Sequence, residues 1–119
     1  MALLTSQNID ETGLLPTMSA VSGGGDTFQN GGNAFILVKN DNEASTTITP
    51  TVVTATVETS QYGQLSKVSL PLVVTAGSIG IVGPFAPGAY NDTSGIMTVV
   101  LSVTSSVTIA VLIVENSDI

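Results

Sequence analysis

The chain of 119 residues contains no cysteine, histidine, arginine or tryptophan. Without cysteine there can be no disulfide framework and no thiolate metal site. Without histidine, hydroxyl nucleophiles lack their usual general base. Positive charge is scarce: Lys39 and Lys67 are the only side-chain cations, against nine carboxylates, for a formal net charge of −7. Nucleic-acid binding needs cations to displace counterions from phosphates, so this chain repels a polyanion, and polybasic membrane docking fails for the same reason. Aromatic residues make up 4% of the chain: Phe28, Phe35, Phe85, Tyr62 and Tyr90. The longest wholly apolar run, residues 109–114, is far shorter than the roughly 20 residues of a membrane-spanning helix. The opening MALLTSQNIDETG has neither a basic start nor a long apolar core, so no Sec-type leader is expected. The expected setting is a cytoplasm, whose reducing conditions suit a chain without cysteine.

What remains is an unusually neutral, β-favouring chain. Only 9% of residues are charged, and residues 68–91 and 93–114 carry no charge at all. Serine and threonine supply the polar positions instead. Uncharged, partly apolar surface left in water tends to associate. The composition therefore points to a domain whose surface is used in contacts with copies of itself or with a larger assembly. A free-standing extracellular-type β domain is the plainer alternative.

Valine, isoleucine and threonine dominate, and helical signals are nearly absent. Extended segments are expected at 14–21, 34–39, 46–59 with a break near Pro50, 67–74 with an edge or bulge at Pro71, and 79–85. Polar or tight turns are expected at 40–42, 60–66, 75–78 and 86–95. Alternation at Met97, Val99, Leu101 and Val103, a polar link, and alternation at Val107, Ile109, Val111 and Ile113 predict a β-hairpin. Its second arm, VTIAVLIV, is apolar on both faces, which predicts a strand inside a sheet with protein on both sides. The expected fold is all-β: an antiparallel, jelly-roll-like sandwich of about seven or eight strands. Residues 1–12 read as an arm that orders on assembly, and 13–119 as one domain.

Four constellations bear on chemistry. Gly23-Gly24-Gly25-Asp26 could suggest a phosphate cradle, but no lysine closes it and a strand follows, so it reads as a turn. Ser-Lys catalysis has only Lys39 and Lys67 to draw on, neither in a recognisable spacing. A carboxylate pair for glycoside hydrolysis lacks aromatic walls. No catalytic, cofactor-binding or metal residues are therefore expected, and the protein is not expected to be an enzyme. Asn40-Asp41-Asn42-Glu43 and Asn91-Asp92-Thr93 offer oxygen ligands in turns, read foremost as solvated Asx-turns. The stretch GPFAPGAYND, residues 83–92, combines prolines that pre-set φ with permissive glycines. It reads as a rigid inter-strand connection, a preformed contact loop, or both.

Taken together, GGGDTFQNGGNAFILVKN, the TAG turn leading into IGIVGPFAPGAYND, and VLSVTSSVTIAVLIV resemble small structural proteins encoded in tailed-bacteriophage morphogenesis regions. The resemblance covers residues 22–114 and marks a fold, with no chemistry attached. It implies a capsid decoration (cement) protein: a jelly-roll-like sandwich, often a trimer, on the outer face of the head, bridging neighbouring major capsid subunits and stabilising the shell. It also implies synthesis in a host bacterial cytoplasm and no nucleic-acid, membrane or cofactor partner. An acidic chain suits the outside of a shell better than its DNA-filled interior. The matched turns, around Asp26, Lys39-Asn40 and Gly83 to Asp92, mark the fold and not a contact; the candidate contact loops are Asp26, Asn40, Asp41, Pro84, Phe85, Pro87, Tyr90, Asn91 and Asp92. Alternative expectations are a neck, tail or head-fibre component, or a carbohydrate-binding sandwich, which the scarcity of aromatics disfavours.

Overall fold

The computed structural model describes residues 2–9, 13–53, 56–59, 63–66 and 71–114. It is a β-sandwich. In chain order the strands are β1 (Ala2–Leu3), β2 (Ser6–Ile9), β3 (Ser19–Ala20), β4 (Asp26–Gln29), β5 (Ala34–Asn40), β6 (Thr46–Pro50), β7 (Thr56–Thr59), β8 (Gly63–Ser66), β9 (Leu72–Val74), β10 (Ile79–Val82), β11 (Ile96–Leu101) and β12 (Val107–Val114), with a single helical turn, α1 (Pro87–Tyr90), before β11. One sheet runs β1-β4-β11-β6-β9. The other runs β10-β5-β12-β2, with β3 also on β12, and among the described residues β7 and β8 form a separate two-stranded sheet.

Period-two patterning makes the two layers. Along β5 the residues Ala34, Ile36, Val38 and Asn40 are buried, while Phe35, Leu37 and Lys39 face outward. Met97, Val99 and Leu101 of β11 meet Val107, Ile109 and Val111 of β12 across the core, joined by Phe28 and Ile48. Burial of such side chains removes apolar area from water at roughly 25 cal/mol per Å² and is the main force holding the layers together.

The structure revises several local expectations. The arms at 97–103 and 107–113 are not a hairpin: β11 lies in one sheet and β12 in the other. Alternation fixes which side chains point inward but not which sheet a strand joins. β12 is interior as expected, between β5 and the β2/β3 pair, and Ala110 and Leu112 on its outer face are also buried. Of residues 14–21 only Ser19–Ala20 pair, against Thr108 and Ile109. The 46–59 segment is split, ending β6 at Pro50 and resuming at Thr56. The strand expected at 79–85 stops at Val82, and the long turn after it contains α1. Residues 67–70 of the strand expected at 67–74, and Tyr62, lie outside the described residues.

The expected arm lies along both sheets over residues 2–9. β1 runs parallel to β4, with Leu3 opposite Thr27, and β2 runs parallel to β12, with Ser6 opposite Val111. Leu4 is buried at the crossing between them, and its N–H donates to the Thr27 carbonyl at 2.7 Å.

Candidate functional site

The 83–92 loop is built as a braced platform. Gly83 has φ +136°, and a Cβ there would sit 2.7 Å from the Ala34 carbonyl oxygen, so only glycine fits. The Gly83–Pro84 bond is cis. Pro87 opens α1, where a missing N–H costs nothing, and the Asn91 N–H closes the turn on the Pro87 carbonyl at 3.1 Å. Phe85 points inward, its ring 5.4 Å edge-on from Tyr90 and 6.3 Å from Phe28.

A side-chain knot ties this platform to the β4–β5 turn. Buried Asn30 donates from Nδ2 to Asn91 Oδ1 (2.9 Å) and to the Phe85 carbonyl (3.3 Å), and its Oδ1 accepts from the Gly32 N–H at 3.1 Å. Asn91 Nδ2 returns a bond to the Asn30 carbonyl at 2.7 Å. Asp92 Oδ1 accepts from the Ser94 and Ile96 N–H groups at 2.8 and 3.1 Å, an Asx-turn leading into β11. The Val53 N–H reaches the Ala89 carbonyl at 2.9 Å. Solvent meets what these anchors leave outside: Pro84, Ala86, Pro87, Gly88 and Asp92 are exposed and Asn91 is half-buried. A shallow hollow of about 300 Å³ opens beside them, walled by Pro50, Val82, Pro84 and Tyr90.

The other predicted contact residues fall elsewhere. Asn40 is fully buried at the far end of β5. Its Nδ2 donates to the Ala44 and Val74 carbonyls at 2.9 Å each, and its Oδ1 accepts from the Asn42 N–H at 2.9 Å. Asp41 beside it is exposed, 3.8 Å from Lys39 Nζ across a pair that is about half exposed on both sides. Because β5 spans seven residues, the Asn40-Asp41 turn and the 83–92 loop lie at opposite ends of the sandwich, about 20 Å apart. Asp26 is fully buried in β4. Its Oδ2 accepts from the Ser22 N–H at 3.1 Å, while Oδ1 is buried without a partner. An unsatisfied acceptor of this kind costs about 1–3 kcal/mol. The glycine stretch itself is a turn closed by the Gly25 N–H on the Ser22 carbonyl at 3.2 Å, with φ +104° at Gly25.

Burial therefore divides the nine candidates. Asp26, Asn40, Phe85 and Tyr90 shape the framework because their side chains have no free surface to offer. Asp41, Pro84, Pro87 and Asp92 remain outward, with Asn91 between the two groups. Sequence reasoning missed Asn30, whose partner Asn91 is 61 positions away. An asparagine ahead of two glycines gives no sign of such a long-range bond. It also missed an open groove of about 450 Å³ along β12, where Gln7 bonds the Thr17 backbone N–H (2.8 Å) and carbonyl (2.9 Å) and no lining side chain is charged. Among the described residues no three acidic side chains converge as a metal site, and no helix is long and apolar enough to cross a membrane. No protein-family model, curated protein or solved structure matches the chain.

Proposed function

We propose that this protein is a non-enzymatic decoration protein of a bacteriophage capsid, a jelly-roll-like sandwich that binds the outer surface of the head and bridges neighbouring major capsid subunits. The observation that carries the reading is the 83–92 platform. It is an exposed, proline-rich surface held in one shape by Phe85, Asn30 and Asn91. A surface fixed before docking loses little conformational entropy on binding. Exposed aliphatics such as Ile79, Ile81 and Val73 add uncharged area for association. The net charge of −7 favours the outside of a shell, away from packaged DNA. The resemblance adds a trimeric arrangement, in which several weak contacts act together and gain avidity. Binding to the assembled shell in preference to its loose subunits then stabilises the shell by mass action.

The test is copy number. Intact virions are purified and this chain is quantified against the major capsid protein by mass spectrometry. A ratio near one to one, or a fixed simple fraction of it, is the expected result. A handful of copies would move the protein to the neck, tail or a fibre, and absence from the particle would end the virion reading.

A further inference from the structure

Among the described residues, the side of the sandwich formed by β9 and β10 is an open edge. The Asn40 N–H donates to the Ser78 carbonyl at 3.0 Å, which sets the phase of the β10–β5 ladder. In an antiparallel pair these bonds alternate, so Gly80 and Val82 face β5, and the N–H and C=O groups of Ile79 and Ile81 point away from it. No backbone partner takes them up among the described residues. Both side chains are 62% exposed on the outer face of the sheet. Natural edges of this kind are usually blunted by charge, proline or a bulge. None of these lies within β10, and residues 68–91 carry no charge.

We propose that β10 is a self-pairing edge, at which two copies of this chain join antiparallel about a two-fold axis passing by Gly80. Ile79 of one copy then lies opposite Ile81 of the other, and each such pair exchanges both of its N–H···O bonds. The groups left open on one copy are the ones the other needs. The four isoleucine side chains meet on the outer face beside Leu37, which is in register with Ile81. Gly80 suits the axis for a second reason: a Cβ there would come within 2.7 Å of Val74 and 3.3 Å of Leu72, so the two sheets close tightly at that point. Val73, between those two, is 57% exposed on the neighbouring edge, and the same axis brings it toward its counterpart. The edge selects a second copy as the occupant because its open N–H and C=O groups are self-complementary about that axis; β10 itself carries no charge, and the nearest charged side chain on the outer face is Lys39, in register with Ile79.

The inference does not depend on the decoration reading, and a two-fold contact is separate from the trimer that the resemblance implies. A pair of short edges buries less than the roughly 800 Å² per partner of a standard interface, so the association is concentration-dependent. Sedimentation velocity between about 10 µM and 1 mM is expected to show a two-fold increase in the mass of the associating unit, be it monomer or trimer. Ile81→Lys should weaken that step at least tenfold, and Ile79→Lys should do the same. Leu15→Lys, an equal charge change at a 95% exposed site off this edge, should leave it unchanged. Register is tested by disulfides in a chain that has no cysteine of its own. When Ile79→Cys and Ile81→Cys proteins are mixed and oxidised, the mixed disulfide should form in preference to either homodisulfide, since paired Cα atoms lie about 5.5 Å apart. No doubling of mass at any concentration, association that survives both lysine variants, or homodisulfides as the main products would each overturn the proposal.

Discussion

Gly83→Ala and Gly88→Ala add the same methyl group to the same loop, and their effects on stability are expected to have opposite signs. At Gly83 the backbone φ of +136° is a conformation open essentially to glycine, and forcing alanine into it costs about 1–3 kcal/mol. The new Cβ would also meet the Ala34 carbonyl oxygen at 2.7 Å and the Phe35 Cα at 3.1 Å. Both are backbone atoms of a central strand and cannot swing aside, so overpacking adds about 1–3 kcal/mol. The sum, about 2–6 kcal/mol, is a large part of the roughly 6–18 kcal/mol available to a domain of this length. At Gly88, inside α1, nothing lies within 4 Å of the added Cβ and φ is not positive. Alanine there should stabilise the fold by about 0.4–1 kcal/mol, by reducing the freedom of the unfolded chain. Thermal and urea unfolding followed by circular dichroism would show Gly83→Ala melting about 10–20 °C lower and Gly88→Ala level with the parent or slightly higher. If the two variants melted within a few degrees of each other, the reading of this loop as a platform locked by its glycine would be wrong.

Further substitutions probe the polar ties. Asn30→Ala leaves the Asn91 Oδ1, the Gly32 N–H and the Phe85 carbonyl short of a partner and should cost about 2–3 kcal/mol in urea titrations, with an unchanged m-value. Asn30→Asp should cost at least as much, because a carboxylate cannot donate to those two acceptors. Thr46→Val keeps the shape but strips the hydroxyl that donates to the Val103 carbonyl at 2.8 Å and accepts from its N–H at 3.1 Å, so a loss of about 1–3 kcal/mol is expected. Lys39→Met, which removes an ion pair exposed on both sides, should move the urea midpoint by no more than about 0.5 kcal/mol equivalent.

Particular residues show how much was legible in the sequence. AFILVKN declared itself as a strand because an apolar run bounded by turn formers has few other uses, and β5 is one residue longer than expected. VTIAVLIV was legible as an interior strand because both of its faces are apolar. Its sheet was not legible. The link between β11 and β12 crosses the sandwich, with Ser106 at φ +58°, and alternation on either side looks the same whether a chain folds back or crosses over. α1 was missed because one turn is too short to show a helical period. The 83–92 loop stood out through its prolines and glycines, which act locally. What braces it did not, because Asn30 and Asn91 form their bonds only after the sheets have assembled. The same holds for Asp26 and Asn40, whose polarity suggested surface while the fold uses them as buried acceptors and donors.

The position of β12 has a consequence for how the chain is made. This strand is the partner of β5, β2 and β3 at once, so one sheet has no centre until residues 107–114 emerge from the ribosome. At about 5–20 residues per second, the apolar strand β5 waits roughly 4–15 s after its own synthesis for its main partner. Through that interval its alternating isoleucine, leucine and valine are open to any other unpaired edge, including those of neighbouring nascent chains. Half of the sandwich therefore cannot close before β12 is made, and folding belongs to the slow, non-local class in which most strand pairs close large loops. A cell that produces this protein in quantity must keep β5 apart from its neighbours until β12 has been made.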